Sequence, residues 1–271
     1  MAFLARSLNP NSLPGYLNVI RILHLSAGLP NPLEGNWEIN MLKRAFSRTK
    51  GVPPVQKLPI TVAMLRKIRE FLSFTSPADL CFWAALVLGF YGFLRKSTLL
   101  LPTCSTPPHM GIRRSDAVNI TVSSLDLIIR RSKTIQFGQR ILTLPYAACA
   151  DSPLCPVRAL LFHLYASPLP ADTSLFSYLS PAGAVTLSQG AFAKRLKSLL
   201  SQAGYNATQY SAHSLRRGGT TFAINSGMCP LIVKARGDWS SNAFERYVYL
   251  SEKSTLAAAQ LLSSSVANSS A

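Results

Sequence analysis

"SAHSLRRGG", residues 211–219, places a histidine, two adjacent arginines and two glycines together with no acidic residue among them. Buried or half-buried guanidinium groups are usually paired with a carboxylate, so a stretch that supplies none points to a partner outside the chain. His213 and Arg216 are three residues apart and project from one face of a helix. Gly218 and Gly219 strip that helix of side chains and permit close approach by another body. An isolated HxxR pair is also what a packed helix with solvent-facing His and Arg shows, so the pattern needs company.

The composition supplies some. The 271 residues hold 28 Lys and Arg against 11 Asp and Glu, a formal net charge of +17 with a pI near 10.1. Such an excess is the footprint of a polyanion binder, with nucleic acid the leading partner. An anionic membrane is excluded as the main surface, because no Lys/Arg-rich run sits beside an amphipathic stretch. The apolar run 80–94, "LCFWAALVLGFYGFL", falls short of the roughly 20 residues a bilayer span needs and reads as a buried helix. The N-terminus lacks the long apolar segment and cleavage site of a secretory signal, so an intracellular protein is expected. A hydrophobic fraction of 48% and a mean hydropathy of +0.20 describe a globular chain. The five cysteines show no CxxC, and the Cys104/His109 pair lacks a second pair of ligands, so reduced thiols and no metal or cofactor are expected.

Outward from the opening stretch, the periodicity is helical at both ends of the chain and alternating in the middle. Helices are expected around "GYLNVIRILHLSAG", stopped by Gly28, and through "EINMLKRAFSRTKG". "VPPVQKLPIT" reads as a linker with a boundary near Lys57. A threonine-capped amphipathic helix follows, then the buried helix, read as running to Arg95. "VNITVSS", "LDLIIRRSK" and "QRILTLP" alternate as three short strands, with "KTIQFG" in the turn between the last two. From "CPVRALLFHLYA" onward the pattern is read as helical, ending in a loose polar tail, "SSSVANSSA". The expected fold is therefore mainly α with a small antiparallel β-sheet, an α+β class.

Three further residues join His213 and Arg216. Arg95 emerges beside the core from a wholly apolar run, and the nearest acids in sequence, Asp79 and Asp116, are poorly placed to neutralise it. Lys133 stands at the tip of a strand pair, where a flexible ammonium reaches over a ligand. Tyr247 follows a tight Gly237 turn, with Tyr249 two residues on; an unperturbed phenol titrates near ~10, so it serves as a nucleophile only with cations about it. Together these fit transesterification at a DNA phosphodiester. Two arginine forks and a histidine stabilise the extra negative charge, a lysine protonates the departing 5′ oxygen, and a tyrosine holds the 3′ phosphate.

The order Arg95, Lys133 in a strand turn, His213-Ser-Leu-Arg216, a "GDW" turn and then Tyr247 resembles the tyrosine recombinase (phage integrase) family. "YGFLRKSTLL", "SKTIQFGQR", "HSLRRGGTTFA" and "GDWSSNAFERYV" are similar in particular to recombinases of DIRS-like and Crypton-like eukaryotic mobile elements. The resemblance implies a catalytic domain over residues 58–271, including the C-terminal tail, preceded by a partial helical core-binding domain over 1–57. It implies Arg95 and Arg216 as a phosphate clamp, Lys133 as general acid, His213 as phosphate ligand or proton carrier, and Tyr247 as nucleophile. It further implies DNA recombination and integration on double-stranded DNA by a homotetramer spanning two duplexes, in the nucleus if the source is eukaryotic. The C-terminal segment would dock on a neighbouring subunit.

Departures bear on activity. Where the family commonly has a second His or a Trp after the turn glycine, this chain has Asp238, with Trp239 one place late, and Trp239 is expected to face the phosphate. Three residues after Arg95 stands Thr98 in place of a common acid. The binding domain also looks short. A DNA-binding protein that no longer cuts is the competing expectation, with a type IB topoisomerase behind it.

Overall fold

The computed structural model describes residues 8–51, 56–150, 152–249, 255–256, 259–260 and 263–264. Linker residues 52–55 and all but two residues of the expected polar tail lie outside that set. The chain divides into two compact units, Met1–Gln56 and Lys57–Ala271.

In the first unit, α1 (Leu13–Ser26) and α2 (Trp37–Lys50) bury Leu13, Leu17 and Phe46, with Leu33 and Ile39 packed against them. Gly28, at φ 71°, turns the chain out of α1 through the left-handed region. The Asn36 side chain caps α2 by accepting the Ile39 N–H at 3.1 Å.

The second unit runs α3 (Val62–Arg69), α4 (Pro77–Tyr91), the single turn α5 (Lys96–Leu99), then strands β1 (Ala117–Val118), β2 (Ser124–Ile129) and β3 (Leu142–Ala147). It continues with α6 (Pro156–Ala166), the hairpin β4 (Ser177–Ser180) and β5 (Gly183–Thr186), α7 (Gln189–Gln202), α8 (His213–Asn225) and α9 (Pro230–Arg236). Every residue of α4 from Leu80 to Phe90 is buried, so the helix is apolar on all sides and other elements must surround it. α6, α8 and β4 do so. β1, β2 and β3 form an antiparallel sheet in that order. Leu125, Leu127 and Ile129 alternate inward on β2, joined by Leu144 and Tyr146 of β3. The buried Tyr146 hydroxyl donates to the Leu88 carbonyl at 3.0 Å and ties the sheet to α4. No helix among the described residues is long and apolar enough to cross a membrane.

Three expectations are corrected. The buried helix ends at Tyr91, not Arg95: Gly92 closes it, and Phe93, at φ 49°, reverses the chain. Arg95 is the N-cap of α5 instead. Residues 177–186, read as part of a helical stretch, form a hairpin around Pro181 and Ala182, too short to show a strand period. The body that approaches Gly218 and Gly219 is the chain itself. A Cβ on Gly218 would overlap the Ile60 carbonyl oxygen, and one on Gly219 the Phe90 carbonyl oxygen, so the glycines let α8 lie directly against the chain before α3 and against the end of α4.

Candidate active site

That close approach brings Arg216 to the end of α4. Its side chain is 2% exposed, with Nη1 donating to the Phe93 carbonyl and Nη2 to the Gly237 carbonyl at 2.7 Å. The guanidinium lies 3.6 Å from the centroid of the Trp239 ring and 5.2 Å from that of Tyr247. One side chain thus fastens the left-handed turn before Arg95 to the turn before Trp239. No carboxylate pairs with Arg216 among the described residues; two carbonyls and an indole face take that place. Burial lowers its pKa to about 9, the Arg95 charge adding to the shift. Arg217 donates to the Lys57 carbonyl at 2.7 Å and stands over the Tyr249 ring.

Tyr247 ends a 3-10 helix, Asn242–Tyr247, and its ring joins Phe93, Ala223, Val233, Trp239 and Phe244 in a small apolar cluster. Its centroid is 5.0 Å from that of His213 and 5.2 Å from that of Trp239, the two rings of the latter pair inclined at 61°. Thr221 of α8 fixes the backbone on either side: its hydroxyl donates to the Tyr247 carbonyl at 3.2 Å and accepts the Tyr249 N–H at 3.0 Å. Tyr249 turns to the Arg217 side instead. His213 opens α8, and desolvation followed by the charges of Arg216, Arg95 and Arg217 lowers its pKa below the ordinary 6.5. At neutral pH its imidazole is uncharged and able to accept a proton.

Arg95 is half-buried, close enough for its charge to lower the pKa of both Arg216 and His213. Among the described residues its guanidinium has no hydrogen-bond or ion-pair partner. Asp79 is spent on Arg195 at 2.9 Å and Asp116 on Arg130 at 2.7 Å, so neither reaches it. Thr98 is buried and donates its N–H to the Arg95 carbonyl at 3.0 Å, capping the first turn of α5.

The structure thus brings Arg95, His213, Arg216, Trp239 and Tyr247 together, while Lys133 stands at their edge. It occupies an exposed turn closed by paired backbone bonds between Ser132 and Ile135, at 3.1 and 3.2 Å. Its ammonium makes no hydrogen bond or ion pair among the described residues. Trp239 is buried, with its Nε1 lacking an acceptor. A Cβ on Gly237 would overlap this indole, so glycine there is what lets the ring fold back onto Arg216. Asp238, at φ 55°, sends its carboxylate away from Arg216 to Ser132, Thr134 and Arg140.

Sequence reasoning passed over Arg236, Phe93 and Thr221. Arg236 Nε donates to the Tyr91 carbonyl at 2.8 Å and Nη1 to the Pro145 carbonyl at 2.9 Å, bolting α9 to α4 and β3. Its place in the last turn before Gly237 was the only available signal. Among the described residues no group of three His, Cys, Asp or Glu side chains is placed to hold a metal.

No protein-family model and no curated protein matches this sequence. Solved structures do resemble it. The Tn1549 transposon integrase, in complex with circular intermediate DNA, aligns at a TM-score of 0.57 and 14% identity, covering 95% of this chain and 81% of its own. The XerH site-specific recombinase, in a post-cleavage complex with a palindromic difH substrate, aligns at 0.55 and 15% identity, covering 94% and 70%. The XerA recombinase aligns at 0.53 and 15% identity, covering 94% and 83%. The chain has the mainly helical fold, with small antiparallel sheets, of the tyrosine recombinase catalytic domain.

Proposed function

We propose that this chain is a DNA strand-transfer enzyme of the tyrosine recombinase type, cleaving and rejoining duplex DNA through a 3′-phosphotyrosyl intermediate on Tyr247. The observation that carries the reading is the seat of the Tyr247 ring against His213, Trp239 and the Arg216 guanidinium, beside an Arg95 with no side-chain partner among the described residues. Two guanidinium groups close enough for the charge of Arg95 to disfavour that of Arg216 favour an anion between them, and a phosphodiester offers two non-bridging oxygens for the purpose. The Tyr247 oxygen forms a bond to phosphorus as the bond from phosphorus to the 5′ oxygen breaks. His213 takes the phenol proton, Lys133 supplies one to the 5′ oxygen, and the reverse steps rejoin the strand.

On the wording of its motifs, we assign the chain to a eukaryotic mobile element of the DIRS-like or Crypton-like kind, acting in the nucleus as a homotetramer on two duplexes. Residues 1–57 then serve as a helical core-binding domain and 58–271 as the catalytic domain. The second reading, a derived DNA-binding protein that no longer cuts, draws on two observations. Asp238 stands where a donor to the phosphate is common in the family, and the Trp239 Nε1 is sealed from solvent.

The test is a pool of nicked duplexes of randomised sequence incubated with wild type and with Tyr247→Phe, then run on a denaturing gel. A protein–DNA adduct that vanishes in the variant supports the enzyme. Duplex binding without any adduct supports the non-cutting binder.

A further inference from the structure

We propose that Asp238 is a positioning residue for proton delivery to the leaving 5′ oxygen: its carboxylate clips the turn that carries Lys133 onto the turn that anchors Arg216. The proposal rests on the reading of Lys133 as the general acid. Asp238 Oδ2 accepts from Ser132 Oγ at 3.0 Å and from Thr134 Oγ1, the residues immediately before and after Lys133. Oδ1 pairs with Arg140, at the far end of the same loop. One residue back, the Gly237 carbonyl holds Arg216 Nη2 at 2.7 Å.

The other holds on the Lys133 turn are local: Ser132 Oγ accepts the Thr134 N–H at 3.1 Å, Gln136 Nε2 donates to the Lys133 carbonyl at 2.9 Å, and Ile135 is buried. The turn's own backbone closure is a single bridge, and residues 136–141 run as irregular, exposed chain to β3. A lysine ammonium on four rotatable carbons delivers a proton reproducibly only if its Cα is held. Asp238 provides that hold from a backbone conformation, φ 55°, which Asp tolerates better than most residues and Gly adopts freely. A carboxylate placed one residue before Trp239 therefore does not face the phosphate. It faces the loop, and three donors hold it there.

The experiment compares adduct formation on two nicked duplexes of one sequence, recovered as an adduct from the randomised pool. One carries the ordinary scissile phosphodiester; in the other the bridging 5′ oxygen is sulfur. The bond from phosphorus to sulfur breaks to leave a thiolate, which needs no proton to depart because a thiol ionises near ~8.5. Asp238→Gly keeps the turn's backbone and removes the clip. We expect it to slow adduct formation ~10- to 100-fold on the oxygen substrate, within the ~10²- to 10⁴-fold that a general acid supplies. On the sulfur substrate it should match wild type, as should Lys133→Ala. Arg140→Gln, which leaves residues 237–239 untouched, should show the same selectivity at smaller size and decides the matter if Asp238→Gly does not fold. Equal slowing on both substrates, or none on either, overturns the positioning role while leaving the function intact. Wild type giving no adduct from the randomised pool overturns the function, and this role with it.

Discussion

Replacing Arg216 with Lys keeps the charge and removes the fork. In the wild type, Nη1 and Nη2 serve two different carbonyls, Phe93 and Gly237, 144 residues apart in sequence, while the guanidinium plane covers Trp239 at 3.6 Å. A lysine ammonium ends in a single nitrogen and cannot span both acceptors. Leaving one carbonyl bare at a site 2% exposed costs about 1–3 kcal/mol. Weakening a desolvated cation–π contact adds about 1 kcal/mol, so the stability loss should be ~2–4 kcal/mol. Arg95→Lys makes the contrast, because Arg95 has no side-chain partner among the described residues, and its cost should stay within about 0.5 kcal/mol. Urea unfolding followed by tryptophan fluorescence reads both, with the denaturant slope unchanged if only the native contact is lost. Equal stability for Arg216→Lys and wild type, or an Arg95→Lys as costly as Arg216→Lys, would refute the assignment of Arg216 as the bolt between the two turns.

Gly219→Ala should destabilise the chain by ~1–3 kcal/mol despite alanine's better helix propensity, since its Cβ meets the Phe90 carbonyl. Gly190→Ala in α7, whose Cβ would meet only Ser188 Oγ at 4.0 Å, should be neutral or stabilising in the same urea unfolding. His163 is fully buried against the Leu175 carbonyl at 2.9 Å, and burial lowers its pKa to about 4. The unfolded chain takes up this proton near ~6.5 and the folded chain only near 4, so the contribution is complete above pH 6.5 and is lost as pH falls toward 4, at up to ~1.4 kcal/mol per unit. Urea midpoints at pH 7 and pH 5 should converge in His163→Gln relative to wild type; an unchanged gap contradicts this. Binding to duplex DNA should weaken ~10³-fold or more between about 50 and 200 mM salt, and a flat response in a filter or anisotropy assay would count against phosphate contacts as its source.

Elements whose signal is local were legible in the sequence. The Thr61 cap of α3, with Met64 N–H donating to its hydroxyl at 3.2 Å, and the alternation of β2 follow from residue type and period alone. The end of α4 did not follow, because a left-handed Phe93 is held by Arg216 from 123 residues away. The same distance hid the partners of the arginines. Sequence shows carboxylates and so suggested a missing anion for both Arg95 and Arg216, but carbonyls are everywhere, and which of them a guanidinium reaches depends on the finished fold. Among the described residues, Arg216 found two and Arg95 none. The partners of Asp238 were hidden for a related reason: the spacing to Tyr247 sets its place in the turn, while its φ of 55° sets where its side chain goes.

The central claim is that Tyr247 attacks the phosphate, and locating the covalent bond tests it most directly. Wild-type adduct from the nicked pool is digested with trypsin and nuclease, and the phosphate-bearing peptide is sequenced by mass spectrometry. The account predicts a 3′-phosphate on Tyr247, within the peptide that follows Arg246. A phosphate on Tyr249, on a serine, or on no residue at all would contradict it.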